Sequence, residues 1–283
     1  MTNVMACIDN SQSSLAVCDY AAWASQQIHA PLTLLHVLDE EKYPAAVDLS
    51  GNIGLGSREH LLEELATLDA QRARIALEQG QHMLEAAKER TVISGAGFPE
   101  LKQRHGHLVE SLSDLQEDIR LLVIGRVGED STRSTRPLGS QIEAVVRTIH
   151  RPILITANSY RKPEKVMLAF DGSPTAYKTV QMLATSQLCE GLPIHLVMVG
   201  ADSEDNREAL RRAVSVLLSA GFEVQAQILQ GEVEAALHVY QAEHGIDLLV
   251  MGAYGQSRIR RFLVGSTTTT MLRSATMPVL LLR

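Results

Sequence analysis

The sequence has few cysteines and no surplus of basic charge. Its three cysteines, Cys7, Cys18 and Cys189, lie far apart and form no Cys-x-x-Cys pair. An odd number of scattered cysteines predicts small core residues in a reducing compartment, not a disulfide framework. The net charge of −7 argues against a general nucleic-acid or membrane-surface binder, because no global basic field attracts polyanions.

Long apolar stretches are missing as well. No run approaches the roughly 18 apolar residues that a membrane helix needs. The start, MTNVMACIDN, has no basic region and no long apolar stretch of the kind found in signal peptides. We therefore expect a cytoplasmic protein that binds neither membrane nor nucleic acid. With 45% hydrophobic and 21% charged residues, the 283-residue chain suits two ordinary globular domains.

The chain contains an internal repeat. The segment VMACIDNSQSS near the start matches VMLAFDGSPTA, LTLLHVLD matches IHLVMVGA, and IRLLVIGRVG matches IDLLVMGAYG. Two further blocks match in the same order: GHLVESL with GEVEAAL, and a Gly-Ser pair that precedes a proline in each half. A duplication of this kind predicts two copies of one domain. We place the first domain at residues 1–157, a polar linker at 158–163 and the second domain at 164–283.

Each half alternates short apolar runs with amphipathic segments, which is typical of an α/β fold. Strands that are apolar throughout predict a parallel sheet covered by helices on both faces. The expected architecture is two doubly wound, five-stranded parallel-sheet domains in tandem. The first half holds about 35 additional residues, mostly between Glu40 and Arg90, and their composition predicts a long, solvated helix after a glycine-containing loop. In the second half the predicted strands are Lys165–Phe170, Pro193–Val199, Val224–Leu229, Asp247–Gly252 and Pro278–Leu282.

The sharpest local signal is GAYGQSRIRRFLVGST, which begins at the end of a predicted strand and closes at the start of a predicted helix. Gly252 and Gly255 remove side chains, so that backbone N–H groups can approach an anion. Gly265-Ser266-Thr267 would open a helix whose unpaired N–H groups and dipole favour phosphate at the same place. Tight turns are the structural alternative for these glycines.

The spacing G-x2-G-x9-G-S resembles the ATP-binding signature of universal stress proteins at every defined position, and the resemblance covers nearly the whole chain in two copies. It implies Rossmann-like domains of the HUP type that bind ATP, with Mg²⁺ carried on the phosphates. The resemblance also implies that Asp171 contacts the nucleoside and that the backbone of Val199 reads the adenine edge. The alternatives are helix capping for Asp171, which Ser173 would serve equally well, and a core role for Val199.

The first half departs from this pattern. The spacer before its last loop glycine has ten residues, and Glu129 and Asp130 would repel phosphate unless Arg126, Arg133 and Arg136 compensate. This half is either a second nucleotide site or a degenerate copy retained for packing against its twin. The corresponding residues are Asp9, Val37, Gly125, Gly128, Gly139 and Ser140.

The sequence shows no catalytic constellation. It has no G-x-x-x-x-G-K-[ST] loop, which excludes a P-loop NTPase, and no nucleophile–base pair stands beside the glycine loop. His105 and His107 have no third ligand in view and do not predict a metal site. We favour a binding or regulatory module whose partners change with ATP occupancy. The alternatives are a slow ATPase or adenylate-forming enzyme, and a nucleotide-free structural pseudo-dimer.

The resemblance also implies how the two copies associate, since family members pair through their last strands. Pro152–Thr156 is expected to lie antiparallel to Pro278–Leu282 within one chain. This would hide two sheet edges that are prone to association. Whether the chain forms a further homodimer is left open.

Overall fold

The computed structural model describes residues 2–39, 57–126, 140–252 and 266–283, with the backbone alone at 57–63, 140 and 266–268. The first half contains β1 (Asn3–Cys7), α1 (Ser14–Gln27), β2 (Leu32–Leu38), α2 (Ser57–Ile93), β3 (Glu100–His105), α3 (Leu108–Asp114), β4 (Ile119–Gly125), α4 (Ser140–Thr148) and β5 (Ile153–Thr156). The second contains β6 (Val166–Ala169), α5 (Pro174–Ala184), β7 (Ile194–Val199), α6 (Glu204–Ser219), β8 (Val224–Leu229), α7 (Val233–His244), β9 (Leu248–Gly252), α8 (Ser266–Ser274) and β10 (Val279–Leu282).

These strands form one ten-stranded sheet in the order β3-β2-β1-β4-β5-β10-β9-β6-β7-β8. Every neighbouring pair is parallel except β5 and β10. The predicted doubly wound parallel halves are therefore confirmed, and each predicted strand of the second half agrees with the structure to within one residue at either end.

The two halves meet where β5 and β10 pair antiparallel, with Leu280 opposite Leu154. This seam confirms the expected pairing of the last strands. Because β5 and β10 are antiparallel, the strands of the two halves run in opposite directions. The amino ends of the second-half strands therefore lie on the same side of the sheet as the carboxyl ends of the first-half strands. Arg126, just after β4, reaches across this edge and donates from its guanidinium to the Met277 carbonyl at 2.7 Å.

Helices cover both faces of the sheet. Helices α1, α2, α5 and α6 pack on one face, through buried side chains such as Trp23, Leu84, Val180 and Leu217. Helices α3, α4, α7 and α8 pack on the other. The strands buried between them read as continuous apolar runs for this reason. The outermost strands β3 and β8 have no buried residue and carry polar side chains. Within the described chain, no helix is long and apolar enough to cross a membrane.

Candidate functional site

In each half, the carboxyl ends of two adjacent central strands form a candidate ligand site, because the connections leave these strands toward opposite faces of the sheet. In the second half, α5 follows β6 onto one face of the sheet, whereas α8 follows β9 onto the other. The chain therefore leaves the adjacent strands β6 and β9 in opposite directions. The first half repeats this arrangement with β1 and β4. Crevices at such reversals of strand order are where open α/β sheets bind ligands.

Asp171 follows β6 at this edge and is exposed. Among the described residues, one hydrogen bond reaches its carboxylate, from the Ser173 N–H to Oδ1 at 2.9 Å. Helix α5 is capped by Ser173 instead, whose hydroxyl oxygen accepts the Ala176 N–H at 3.1 Å, and Pro174 supplies the first helical residue. The capping role considered for Asp171 thus belongs to Ser173, and the Asp171 carboxylate remains exposed at the carboxyl end of β6.

Asp9, the counterpart of Asp171, is half-buried and more heavily engaged. Its Oδ1 accepts the Ser11 N–H at 3.1 Å, the Ser11 hydroxyl at 2.5 Å and, shared with the Asp9 backbone carbonyl, the Ser14 hydroxyl at 2.9 Å. The hydroxyl of Ser11 therefore turns toward Asp9, and α1 begins only at Ser14. Ser14 corresponds to Ala176 in the second half, which has no hydroxyl to donate. The first crevice consequently presents a carboxylate already held by its own turn.

Val199 lies level with Asp171 at the end of β7. The Phe170 N–H donates to the Val197 carbonyl at 2.9 Å, and the Gly200 N–H donates to the Leu229 carbonyl at 2.8 Å. Since backbone groups alternate between the two sides of a parallel strand, the N–H and C=O of Val199 point toward the β6 side, where β6 has already ended. Val37 has the same position beside β1, where the Ile8 N–H donates to the Leu35 carbonyl at 2.8 Å.

Gly252 and Gly125 end β9 and β4, and both are required by helix packing. A Cβ at Gly252 would lie 2.8 Å from Thr179 Oγ1, and a Cβ at Gly125 would lie 2.5 Å from Ser13 Oγ. Both contacts are closer than real Cβ atoms allow, so each glycine lets α5 or α1 approach the sheet. The sequence suggested close approach of an anion for Gly252. The structure adds this second physical reason.

Gly231 and Gly106 follow the third strand of each half with φ values of 112° and 117°. A non-glycine residue would be strained at either position, so both glycines allow the chain to turn after the strand. The distal parts of both glycine loops, including Gly255 and Gly265 in the second half and Gly128 and Gly139 in the first, lie outside the described residues.

Helices α8 and α4 begin at Ser266 and Ser140, as the glycine-serine pairs predict, and Thr267 lies in the first turn of α8. Each helix start follows its glycine loop in the chain. A helix N-terminus at this position can offer unpaired N–H groups to an anion.

The position of Arg126 in the sequence suggested that it could offset the charges of Glu129 and Asp130, but its side chain is bound elsewhere. It is 8% exposed and is bound to the Met277 carbonyl across the seam. Burial lowers the pKa of its guanidinium. Of the arginines that would offset Glu129 and Asp130, Arg133 and Arg136 lie outside the described residues.

The remaining chemically reactive side chains behave as core. Cys18 and Cys189 are buried, and Cys7 is partly buried. Burial raises the pKa of each of these thiols to about 12, assisted at Cys7 by the charge of Asp9 and at Cys18 by that of Asp19. Across the described ranges, no group of three His, Cys, Asp or Glu side chains is placed to hold a metal ion.

Sequence reasoning missed part of what the serines of the two turns do. Ser11 and Ser14 decide how Asp9 is engaged and were not considered, whereas Ser173 was considered as a cap but not as the reason that Asp171 remains exposed. The available signal was the difference between NSQSS and GSPTA, in which a proline follows the capping serine only in the second half.

Comparison with known proteins gives matches along both halves. The model of the universal stress protein family matches residues 1–157 and 163–283. A universal stress protein of Synechocystis sp. is 36% identical over 287 residues and covers 100% of both chains. One of Mycolicibacterium smegmatis is 23% identical over 296 residues, covering 98% of this chain and 95% of its own. The crystal structure of a universal stress protein from Archaeoglobus fulgidus superimposes with a TM-score of 0.71 at 19% identity, covering 99% of this chain and 98% of its own.

Proposed function

The chain belongs to the universal stress protein family, and from that premise we propose that it is a stress-response module whose second half binds ATP. The observation that carries this proposal is the exposed Asp171 carboxylate at the crevice between β6 and β9. It lies level with the outward-facing backbone groups of Val199. A carboxylate at this position can accept hydrogen bonds from ribose hydroxyls or from the adenine amino group.

The phosphates would be held by Gly252, Gly255, Gly265, Ser266 and Thr267. In this proposal their backbone N–H groups and the N-terminus of α8 surround the triphosphate, and the Ser266 hydroxyl adds a further hydrogen bond. Magnesium would be bound through the phosphates. A polyanion held mainly by backbone amides is bound without an evident activated nucleophile, so we propose a binding and regulatory role in the cytoplasm.

The first half is proposed as the weaker nucleotide site. Its residues Asp9, Val37, Gly125, Gly128, Gly139 and Ser140 correspond to those of the second half. The Asp9 carboxylate, however, accepts three hydrogen bonds from its own turn. Ribose hydroxyls would have to compete with these donors. We therefore expect ATP to occupy the second half first.

The test is to denature the purified protein by heat and identify the released small molecules by chromatography. We expect ATP from the unmodified protein and from a Gly139→Val variant, and much less from a Gly265→Val variant that remains folded by circular dichroism, because only the weaker site of the first half is then intact. Equal release from both variants would reject the assigned loop.

Two further readouts separate the alternatives. Conversion of added ATP to ADP or AMP in turnover quantities would identify an enzyme. An unchanged melting temperature with ATP, together with no released adenine, would identify a nucleotide-free pseudo-dimer.

A further inference from the structure

Helix α2 has two parts with different surroundings. From Ala76 onward it is fastened to the body of the first half. Ala76, Leu84 and Ala87 are buried there. Arg90 forms two hydrogen bonds with the Asp19 carboxylate, at 3.0 and 2.6 Å, which ties the end of α2 to α1.

The outer part of α2 is more exposed than the rest of the helix. Of residues 64–75, all of which the structure describes, none is buried. Leu65, Leu68 and Ile75 are 55%, 50% and 50% exposed. Their spacings of three and seven residues place them along one side of the helix. We call these three residues the α2 stripe.

A helix with an exposed leucine stripe is poorly stabilised by itself, since most helical stability comes from packing an apolar face. Contiguous exposed apolar side chains of this kind commonly mark interaction sites. We therefore expect a binding partner to pack on the α2 stripe. The charged side chains beside the stripe indicate which partner this is.

Acidic and basic side chains are segregated along this part of the helix. Glu64 and Asp69 precede residue 70, whereas Arg72 and Arg74 follow it. Arg72 pairs with Asp69 at 3.6 Å and Arg74 pairs with Glu78 at 3.7 Å along the helix, but exposed ion pairs of this kind contribute little and can exchange for pairs with a partner. A second α2 running antiparallel about residue 70 would set the acidic part of each helix against the basic part of the other. A parallel partner would set like charges together, which is unfavourable.

From this complementarity we infer that the α2 stripe is a self-association surface, on which a second copy of the chain docks its own α2 antiparallel. The two-fold axis passes near residue 70. Leu65 of one copy then packs against Ile75 of the other, and Leu68 packs against the aliphatic stem of Arg72. Three apolar side chains from each copy make a small interface, so the dimer is expected to dissociate on dilution.

Analytical ultracentrifugation over a range of protein concentrations measures this association. The unmodified protein is expected to shift from monomer toward dimer as its concentration rises. Leu68→Glu should raise the dissociation constant by more than about tenfold, because it places a charge at the centre of the contact.

The matched control is Leu218→Glu, which introduces the same charge at a leucine of α6 that is 54% exposed. It should leave the dissociation constant unchanged. A monomer at every concentration would overturn the inference, including the case in which residues 40–56 of the same chain cover the stripe. Equal weakening by Leu68→Glu and Leu218→Glu would overturn it as well.

The orientation is tested with single cysteines. A mixture of Leu65→Cys and Ile75→Cys proteins should form a mixed disulfide dimer under mild oxidation, while neither protein should crosslink with itself. In the antiparallel pair, two copies of the same position are offset by ten residues, or about 15 Å along the helix. Self-crosslinking without mixed crosslinking would indicate parallel helices and reject the proposed geometry.

The native cysteines give little background in this experiment. Cys18 and Cys189 are buried, and burial raises the pKa of all three thiols to about 12. Circular dichroism of each variant checks that the exposed substitutions leave the fold intact.

Discussion

The turns after β1 and β6 both begin with an aspartate, Asp9 in the first half and Asp171 in the second, but the two carboxylates have different hydrogen-bond partners. In the first half, Ser11 and Ser14 direct their hydroxyls to the Asp9 carboxylate. In the second half, Ser173 caps α5 and Ala176 stands where Ser14 would donate, so the Asp171 carboxylate remains exposed. The corresponding aspartates are therefore held by hydroxyls of the turn in one copy and exposed in the other. A duplicated fold can thus keep its sheet while changing how accessible one carboxylate is.

The largest expected effect is a loss of stability when the seam is weakened. This substitution tests whether the two halves unfold as separate units. Leu154→Ala removes a fully buried side chain at the seam, opposite Leu280, and should lower the free energy of unfolding by about 2–5 kcal/mol. Since the seam joins both halves, urea unfolding followed by Trp23 fluorescence and by circular dichroism should shift together.

Leu196→Ala, in β7 far from the seam, is the comparison for that experiment. Trp23 is the single tryptophan and lies in α1, so its fluorescence reports on the first half. Should Leu154→Ala move the fluorescence transition and leave that of the second half in place, the seam would not couple the halves.

The next effect concerns ATP affinity. Asp171→Ala should raise the dissociation constant for ATP about 10- to 100-fold, because a hydrogen bond to a charged group contributes about 1.5–3 kcal/mol. Asp9→Ala should change it less than about threefold when the second half is the stronger site. Isothermal titration with ATP measures both, and a larger loss from Asp9→Ala would reverse the comparison.

The free energy of unfolding should depend on the same two aspartates in the opposite order, with a larger loss from Asp9→Ala than from Asp171→Ala. Asp9→Ala removes the acceptor of three hydrogen bonds in a half-buried turn and should cost about 1–2 kcal/mol. Asp171→Ala should lower the free energy of unfolding by less, because the Asp171 carboxylate is exposed and accepts one hydrogen bond from the described residues. Urea denaturation at neutral pH gives both values. Equal losses would mean that the two turns are not energetically different.

The smallest expected effect is a pH dependence found in one half. His195 in β7 is 4% exposed, and burial together with His244 and Lys165 lowers its pKa. The unfolded chain, with a histidine pKa of about 6.5, then binds more protons than the folded one as the pH falls through this value. His195 therefore lowers stability below about pH 6.5 and has little effect above pH 7.

The first half has Thr33 at the position of His195. His195→Thr should therefore reduce the fall in melting temperature between pH 7.5 and pH 5. An unchanged slope in this variant would assign the pH dependence to other groups.

The strands could be predicted from the sequence because they depend on local patterns, whereas the antiparallel seam was predicted from the family resemblance. Apolar runs such as LLVMG, flanked by glycines and alternating with amphipathic segments, are typical of buried parallel strands, and the repeat indicates that both halves contain the same set. The packing role of Gly252 could not be predicted, because it depends on Thr179 in a helix distant in the chain. The engagement of Asp9 depends on hydroxyl directions that a single sequence does not specify. The roles assigned to Gly255 and Gly265 stay predictions.

The antiparallel seam also determines where the candidate sites of the two halves lie relative to the sheet. The crevice of one half opens on one rim of the sheet, and that of the other half opens on the opposite rim. The two candidate sites would therefore lie at opposite ends of the strands, so that a ligand bound in one half would not contact a ligand bound in the other.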